Sequence, residues 1–334
     1  MKRRPAILYI TLGTAIMLLL TASLIYGSVK IPLRDVLGIL SGNFDGRESW
    51  RHIVLESRLP QCVTALLGGA ALASAGLMLQ TLFRNPLAGP SILGISDGAN
   101  LGVAIVMLYF SVGNYFTTVL AAFVGAAAVL MIILAFSRKV QNTVMLLIIG
   151  IMTGYVASSA ISILNFQASA DKVHQYVLWG MGDFTQVSLD KLPWFAGFTL
   201  AGILGAVLMT KPLNALLLGD NYAANLGVNV RRTRLLILIV TGLLTASVTA
   251  FCGPISFIGL AVPHVARLAL GSSDHRHLLP MTLLWGGSTA LLCNLLTLLP
   301  AAAGVLPLNA VTSILGAPVI VYVILNRNNI HYFN

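Results

Sequence analysis

The chain has 334 residues, of which 57% are hydrophobic and only 9% are charged, with a formal net charge of +10. An average soluble domain carries about 25% charged residues, so this composition excludes a soluble globular protein and a disordered one. The apolar stretches are about 20 residues long, which predicts helical membrane spans rather than the short alternating strands of a barrel. The sequence therefore predicts an all-α polytopic membrane protein.

Ten segments are apolar and long enough to be interpreted as spanning helices. The N-terminal run follows Lys-Arg-Arg like a secretory signal, but it is longer than a signal core and no clear cleavage site follows it, so we expect it to remain as the first helix. The segment at 254–270 is the weakest, because it is short and contains His264 and Arg267. The predicted spans are 6–26, 60–82, 93–112, 115–136, 143–165, 192–210, 233–251, 254–270, 279–299 and 309–326.

The charged residues support ten spans with a cytoplasmic N-terminus. In that arrangement the inner segments contain 13 basic residues and three acids, Asp97, Asp220 and Asp274, whereas the outer segments contain seven of each sign. The whole net charge then lies inside, as the positive-inside rule requires. We therefore predict that both termini are cytoplasmic and that the basic composition does not reflect binding to nucleic acid.

Some features of transporters and enzymes are missing from the sequence. The middle of each predicted span lacks the ionisable residue that a proton-coupled transporter needs there. None of the six lysines follows a glycine, so there is no Walker A loop. Near Asp274, the residues His275 and His277 lack the further acids or cysteines that favour a metal site. We predict no catalytic residue, cofactor site or metal site in this chain; if ATP drives transport, another subunit hydrolyses it.

Two inner segments join predicted helices. The first, Arg84-Asn85-Pro86-Leu87-Ala88-Gly89-Pro90, contains two prolines that end the second predicted helix, and Asp97 is expected to cap the third. The other segment, Gly253-Pro254-Ile255-Ser256-Phe257-Ile258-Gly259-Leu260-Ala261-Val262-Pro263-His264, leads into the weakest span.

A third inner segment predicts a short surface helix. It reads Gly219-Asp220-Asn221-Tyr222-Ala223-Ala224-Asn225-Leu226-Gly227-Val228. Asp220 is expected to cap this helix and Gly227 to stop it, with the apolar residues Tyr222, Ala223 and Leu226 on one face. A helix this short is not stable alone, so we expect it to dock on something.

Together with Arg58-Leu59-Pro60, these segments resemble the permease subunits of type II ABC importers for iron-siderophores, haem and vitamin B12. The resemblance extends from about residue 25 to residue 327. It implies ten helices in one transmembrane domain, 1–334, in the cytoplasmic (inner) membrane of a bacterium. The implied partners are a second copy or a homologous permease, two cytoplasmic subunits that bind ATP and Mg²⁺, and an extracytoplasmic substrate-binding protein.

The resemblance also implies roles for three groups of residues. Segment 214–230 is the coupling segment, and its contacts with the ATPase come from Asp220, Tyr222, Ala223, Leu226 and Gly227. The loop residues Asn142, Thr143 and Val144 match the cytoplasmic gate of a pathway lined by the fifth and tenth helices. Arg58 is expected to dock the binding protein, although pairing with Glu56 or a position at the lipid interface would also explain it.

Two other functions stay open from the residues alone. A stand-alone secondary transporter would need an inverted repeat and ion ligands in mid-span, and neither is clear in the sequence. An integral-membrane enzyme could use His264, Asp274, His275 and His277 as its polar centre, but it would need a second acidic or histidine cluster on the same side. The sequence does not distinguish haem, a ferric siderophore and a cobalamin as the substrate.

Overall fold

The structure is a computed structural model that describes residues 3–27, 29–110, 114–140, 142–298 and 304–325, and every regular element in these ranges is helical. Two π-helical segments, Ile53–Arg58 and Ile105–Tyr109, and two 3₁₀ turns, Pro90–Leu93 and Phe184–Gln186, adjoin the α-helices. The α-helices are α1 (Arg3–Ile25), α2 (Leu33–Ser41), α3 (Glu48–His52), α4 (Leu59–Phe83), α5 (Ile95–Ala104), α6 (Tyr115–Lys139), α7 (Thr143–Gln167), α8 (Ala170–Gly180), α9 (Leu192–Leu208), α10 (Thr210–Leu217), α11 (Asp220–Asn225), α12 (Val230–Cys252), α13 (Ile258–Leu270), α14 (His275–Thr297) and α15 (Leu308–Leu325).

Each of the ten predicted spans falls on a helix of this bundle. In the described ranges six helices are long and apolar enough to cross a membrane, and α9 with α10, bent by 50°, makes a seventh if the pair is one span. The helices that hold the predicted spans 93–112, 254–270 and 309–326 are shorter. An all-helical polytopic membrane protein is therefore confirmed.

The helix α4 lies at the centre, where it packs against α9, α12, α13 and α14. Glycine makes these contacts close: a methyl group added to Gly69 would overlap the Gly286 carbonyl, and one added to Gly76 would overlap the Gly259 carbonyl. The small residues of this helix thus form a packing surface between backbones. As a result, α4, α13 and α14 form one tightly packed group.

A second group contains α5, α6 and α7. Gly98 of α5 meets the backbone of Gly125 in α6, and a methyl group on Gly150 of α7 would lie 3.0 Å from the Cα of Leu93. The helix α12 lies between the two groups, because it packs against both α4 and α6. The fold therefore consists of two closely packed sets of helices joined along α12.

Asp97 lies deeper in the bundle than the sequence predicts. A methyl group on Gly154, near the midpoint of α7, would lie 2.6 Å from Asp97 Oδ2, and Gly94 rather than Asp97 is the N-cap residue of α5. The backbone turns into α5 at Gly94, whose φ of 71° is a left-handed conformation that glycine adopts readily. The prediction that Asp97 caps the third helix is therefore wrong, and its carboxyl group lies beside the middle of α7.

Candidate functional site

The predicted surface helix is present as α11. It begins after Gly219 and ends before Gly227, whose φ angles of 103° and 83° lie in the left-handed region. Glycine suits both positions, because a Cβ atom disfavours this conformation. The predicted stop at Gly227 is correct, but the N-cap residue is Gly219 rather than Asp220.

Two large apolar side chains project outward from this helix and its C-cap. Tyr222 is 67% exposed and Leu226 is 65% exposed, whereas Ala223 is fully buried. Ala223 therefore anchors the helix and does not share the exposed face, which corrects the predicted grouping of the three residues. Exposed apolar side chains at one place on a surface indicate a contact site for another macromolecule.

The exposed helix is joined to the bundle at its start and closed by a backbone hydrogen bond at its end. At its start, Asp220 Oδ2 lies 3.2 Å from Nη2 of Arg234, a buried residue of α12. At its end, the Val228 amide donates a hydrogen bond to the Ala223 carbonyl at 3.0 Å. These contacts order a helix that is too short to be stable by itself.

The predicted gate residues form the start of α7. Asn142 Oδ1 accepts a hydrogen bond from the Val144 amide at 2.8 Å and so caps the helix. Thr143 is half-buried and Val144 is exposed. Arg231, directly after the coupling segment, donates to the Arg138 carbonyl in the last turn of α6 at 3.3 Å. The coupling segment therefore lies close to the helix that leads into the predicted gate loop.

The helix α7 buries only one narrow face. The buried residues are Leu146, Gly150, Gly154 and Ala157, and the two glycines face the start of α5 and the turn before it. The rest of the helix is largely exposed in this chain, including a mixed apolar and hydroxyl-bearing surface. Exposed members of that surface are Val144, Ile148, Met152, Tyr155, Ser158, Ser159 and Ser162.

Arg58 is buried, with only 6% of its surface exposed. Its Nη1 donates to the carbonyls of Leu24 at 2.6 Å and Ile25 at 2.9 Å, and its Nη2 donates to the Val29 carbonyl. The guanidinium therefore satisfies the carbonyls at the end of α1, which argues against a direct docking contact. The alternative pairing of Arg58 with Glu56 is not formed, because the Glu56 carboxylate lies 3.0 Å from His52 instead.

The histidines do not form a common polar centre. His264 Nε2 lies 2.7 Å from the Pro86 carbonyl, and His275 is enclosed between Thr81 and Asn214. Within the described ranges, no three His, Cys, Asp or Glu side chains converge on a point where they could hold a metal ion. The sequence patterns did not mark Thr81 or Asn214, whose roles depend on contacts between distant helices.

Asp274 caps α14 beside His275. Burial acts to raise the pKa of its carboxyl, but hydrogen bonds from the Arg276 amide and the Asn214 side chain, with the nearby Arg276 and His277 charges, hold that pKa below its usual value. The group is therefore an ionised acceptor at neutral pH.

An all-helical bundle that carries an exposed apolar helix, and whose sequence has no nucleotide-binding loop, has the features of the membrane-embedded subunit of a transporter. The sequence model of the FecCD transport family matches residues 15–326. The chain belongs to this family, and it is a multi-pass transport permease of the cytoplasmic membrane and not an enzyme.

Individual relatives agree with this assignment. The chain is 34% identical over 316 residues to the hemin transport system permease protein HmuU of Yersinia pestis, covering 93% of this chain and 94% of HmuU. It is 37% identical over 273 residues to the vitamin B12 import system permease protein BtuC of Klebsiella pneumoniae, covering 81% and 82%. A solved inward-facing structure of a metal-chelate type ABC transporter matches with a TM-score of 0.85 at 27% identity, covering 96% of this chain and 99% of the other.

Proposed function

We propose that this chain forms the pathway of an ATP-driven importer for a chelated metal compound: an iron-siderophore, haem or a cobalamin. The names of its relatives, which refer to hemin, vitamin B12 and metal chelates, support this substrate class. A metal that is already chelated needs no further ligands from the protein along its route. The small and hydroxyl-bearing side chains on the exposed surface of α7 suit such a bulky cargo.

The observation that carries the coupling role is the exposed pair Tyr222 and Leu226 on an anchored helix. We assign this pair to a cleft in the ATP-binding subunit. Burying a large apolar side chain contributes about 1.5–3 kcal/mol, so two of them form an effective contact. Ala223 and the Asp220–Arg234 ion pair keep the contact rigid, so that the ATPase moves the whole segment.

The proposed mechanism is alternating access. Partner subunits bind ATP and Mg²⁺ and close on each other, and this closure displaces α11. The displacement reaches α12 through Arg234 and the end of α6 through the Arg231 contact with the Arg138 carbonyl. The gate residues 142–144 follow directly after α6, so the two movements are linked.

The assembly proposed here has ten spans in each permease, with both termini in the cytoplasm. Two copies, or this chain and a homologous permease, meet along the exposed surfaces of α7 and α15 and enclose the pathway between them. A substrate-binding protein delivers the cargo to the outer face. Since Arg58 is committed to the α1 carbonyls, its contribution to docking is to fix the chain between α1 and α2 on that face.

Accessibility to a membrane-impermeant thiol reagent tests the topology. In a background without the three native cysteines, single cysteines at Ser41 and Gln186 are expected to react from outside. Cysteines at Asn221 and Ser273 are expected to react only after the membrane is opened. Reaction at Ser273 from outside would overturn the ten-span arrangement.

The substitution Leu226→Arg tests coupling. An unpaired charge forced into an apolar cleft costs several kcal/mol, so we expect about 100-fold weaker binding of the ATP-binding subunit and loss of ATP-dependent uptake. Leu189→Arg is the matched control, because Leu189 is also exposed but lies in a different loop. Full uptake by the Leu226→Arg complex would contradict the coupling role.

Uptake into vesicles that contain the full complex tests the substrate class. Labelled haemin, a ferric siderophore and cyanocobalamin are supplied separately with the binding protein and ATP. We expect at least one of them to accumulate. Accumulation of none of the three, in a complex whose ATPase responds to its binding protein, would contradict the proposed cargo.

A further inference from the structure

A continuous series of hydrogen bonds joins α10, α14 and α4 near α11, and it starts at Asn214, the first residue of the coupling segment. The Asn214 side chain is the junction: its Nδ2 donates to Asp274 Oδ1 at 2.6 Å, and its Oδ1 accepts from the His275 amide at 2.8 Å. The same oxygen lies 2.9 Å from His275 Nδ1. On the other side of the ring, His275 Nε2 lies 2.8 Å from Thr81 Oγ1.

From Asp274 to Nδ1 of His275, each hydrogen bond has a fixed direction. The Asp274 carboxylate can only accept, so Asn214 turns its amide nitrogen toward Asp274 and its oxygen toward His275. The Nδ1 atom of His275 must then carry a proton, and when the ring is neutral its Nε2 atom accepts a hydrogen bond from the Thr81 hydroxyl. The competing acceptor for that hydroxyl is the Leu77 carbonyl at 3.0 Å.

The two inner residues of this hydrogen-bonded series are buried away from water. His275 has no exposed surface and Thr81 has 1%. A broken bond in such a place leaves polar groups unsatisfied, so the link resists separation of the helices. Thr81 belongs to α4, which packs backbone to backbone against α14 at Gly69 and against α13 at Gly76. A movement of α10 is thereby applied to the whole α4, α13 and α14 group.

We propose that Asn214, His275 and Thr81 are positioning residues for coupling. They hold α10 in register with α4 and α14, so that a push on α11 moves the packed group instead of bending α10 away from it. This inference rests on the coupling role proposed for α11. It differs from that role in its residues, which lie inside the permease and do not touch the ATPase.

The test uses the complete complex with a spin label at Val144→Cys in each permease copy, and it measures how far the distance between the labels changes when ATP is added. Asn214→Leu removes the junction, and Thr81→Val removes only the hydroxyl. Thr81→Ser restores the hydroxyl. Asn294→Leu is the matched control, because it breaks the Gln61–Asn294 hydrogen bond of 3.0 Å between the same helices α4 and α14, away from the coupling segment.

We expect all four variants to bind the ATP-binding subunit as wild type does. In Thr81→Val, about tenfold fewer complexes should switch distance with ATP, the change that the loss of one buried hydrogen bond produces. Asn214→Leu removes three hydrogen bonds, so its loss of switching should be at least as large. Thr81→Ser and Asn294→Leu should switch as wild type does. If the Asn214→Leu complex does not assemble, the comparison of Thr81→Val with Thr81→Ser tests the inference by itself.

Three results would count against the inference. Normal switching in Thr81→Val would overturn it while leaving the proposed function intact. Equal losses in Thr81→Val and Asn294→Leu would also overturn it, because any polar contact between α4 and α14 would then have the same effect. A wild-type complex that does not switch with ATP would overturn the proposed function itself.

Discussion

The helices α4 and α7 are both long and apolar, with small residues at four-residue spacing, but they occupy opposite environments. In the span that contains α4, 83% of the most apolar 18-residue window is buried, compared with 22% for α7. Lipid is as apolar as a protein interior, so hydropathy does not separate the two cases. The difference arises because α4 is surrounded on all sides by other helices, whereas α7 has neighbours along one face.

This comparison shows which part of the permease is fixed and which part is available for movement. Glycine contacts fasten α4 to α13 and α14 along much of its length. The start of α7 holds the gate residues and is anchored locally by its own cap at Asn142. The following predictions alter contacts in the two regions, beginning with the substitution that should lower the free energy of unfolding most.

The first prediction concerns the closest packing in the fixed group. Gly76→Ala places a methyl group on the Gly259 carbonyl, where only backbone could move away, so the free energy of unfolding should fall by about 3 kcal/mol. Gly197→Ala in α9 is the matched control, since nothing lies within 4 Å of its added methyl group. Thermal unfolding in detergent measures the stability of both variants. Equal stability would contradict the close packing of α4 against α13.

The second prediction concerns the start of the α4 span. Arg58→Met removes the donor to two carbonyls at the end of α1 and to the Val29 carbonyl beyond it, and should lower the free energy of unfolding by about 2 kcal/mol. Glu56→Gln, at an exposed position two residues earlier, should leave stability unchanged. An Arg58→Met protein of normal stability that binds the binding protein poorly would restore the direct docking role predicted from the sequence.

The third prediction concerns the start of α7. Asn142→Ala removes the cap and should destabilise the first turn by about 1 kcal/mol, seen as faster hydrogen exchange at the Val144 amide. Asn142→Asp keeps an acceptor and should exchange like wild type. Global unfolding should not change, since this turn packs against little. Unaltered exchange in Asn142→Ala would show that the cap does not order the gate loop.

The sequence predicted the helical bundle well because its apolar segments are long and its inner motifs are specific. It predicted α11 and its stop at Gly227, since a short apolar group between two glycines has few other solutions. It did not predict the depth of Asp97 or the burial of Arg58. Both depend on contacts with residues far away in the chain, Gly154 and Leu24, which no local pattern reports.

The same limit applies within the candidate site. An apolar residue pattern marked Tyr222, Ala223 and Leu226 as one face, but the tertiary fold turned Ala223 inward. Asn214 stands in an apolar run, and its hydrogen bonds to Asp274 and His275 become apparent only when α10 and α14 are brought together. Local propensity therefore gave the position of the coupling segment, and packing decided how it is attached.

The central claim is that the exposed tip of α11 contacts the subunit that supplies energy. A photo-crosslinking amino acid at position 226, in the complex expressed with its neighbouring transport proteins, tests this contact directly. We predict a covalent adduct with the ATP-binding subunit whose yield changes with ATP, and no such adduct from the same amino acid at position 41. Adducts from position 226 with lipid, with the permease itself or with the substrate-binding protein, and none with an ATP-binding subunit, would contradict the account.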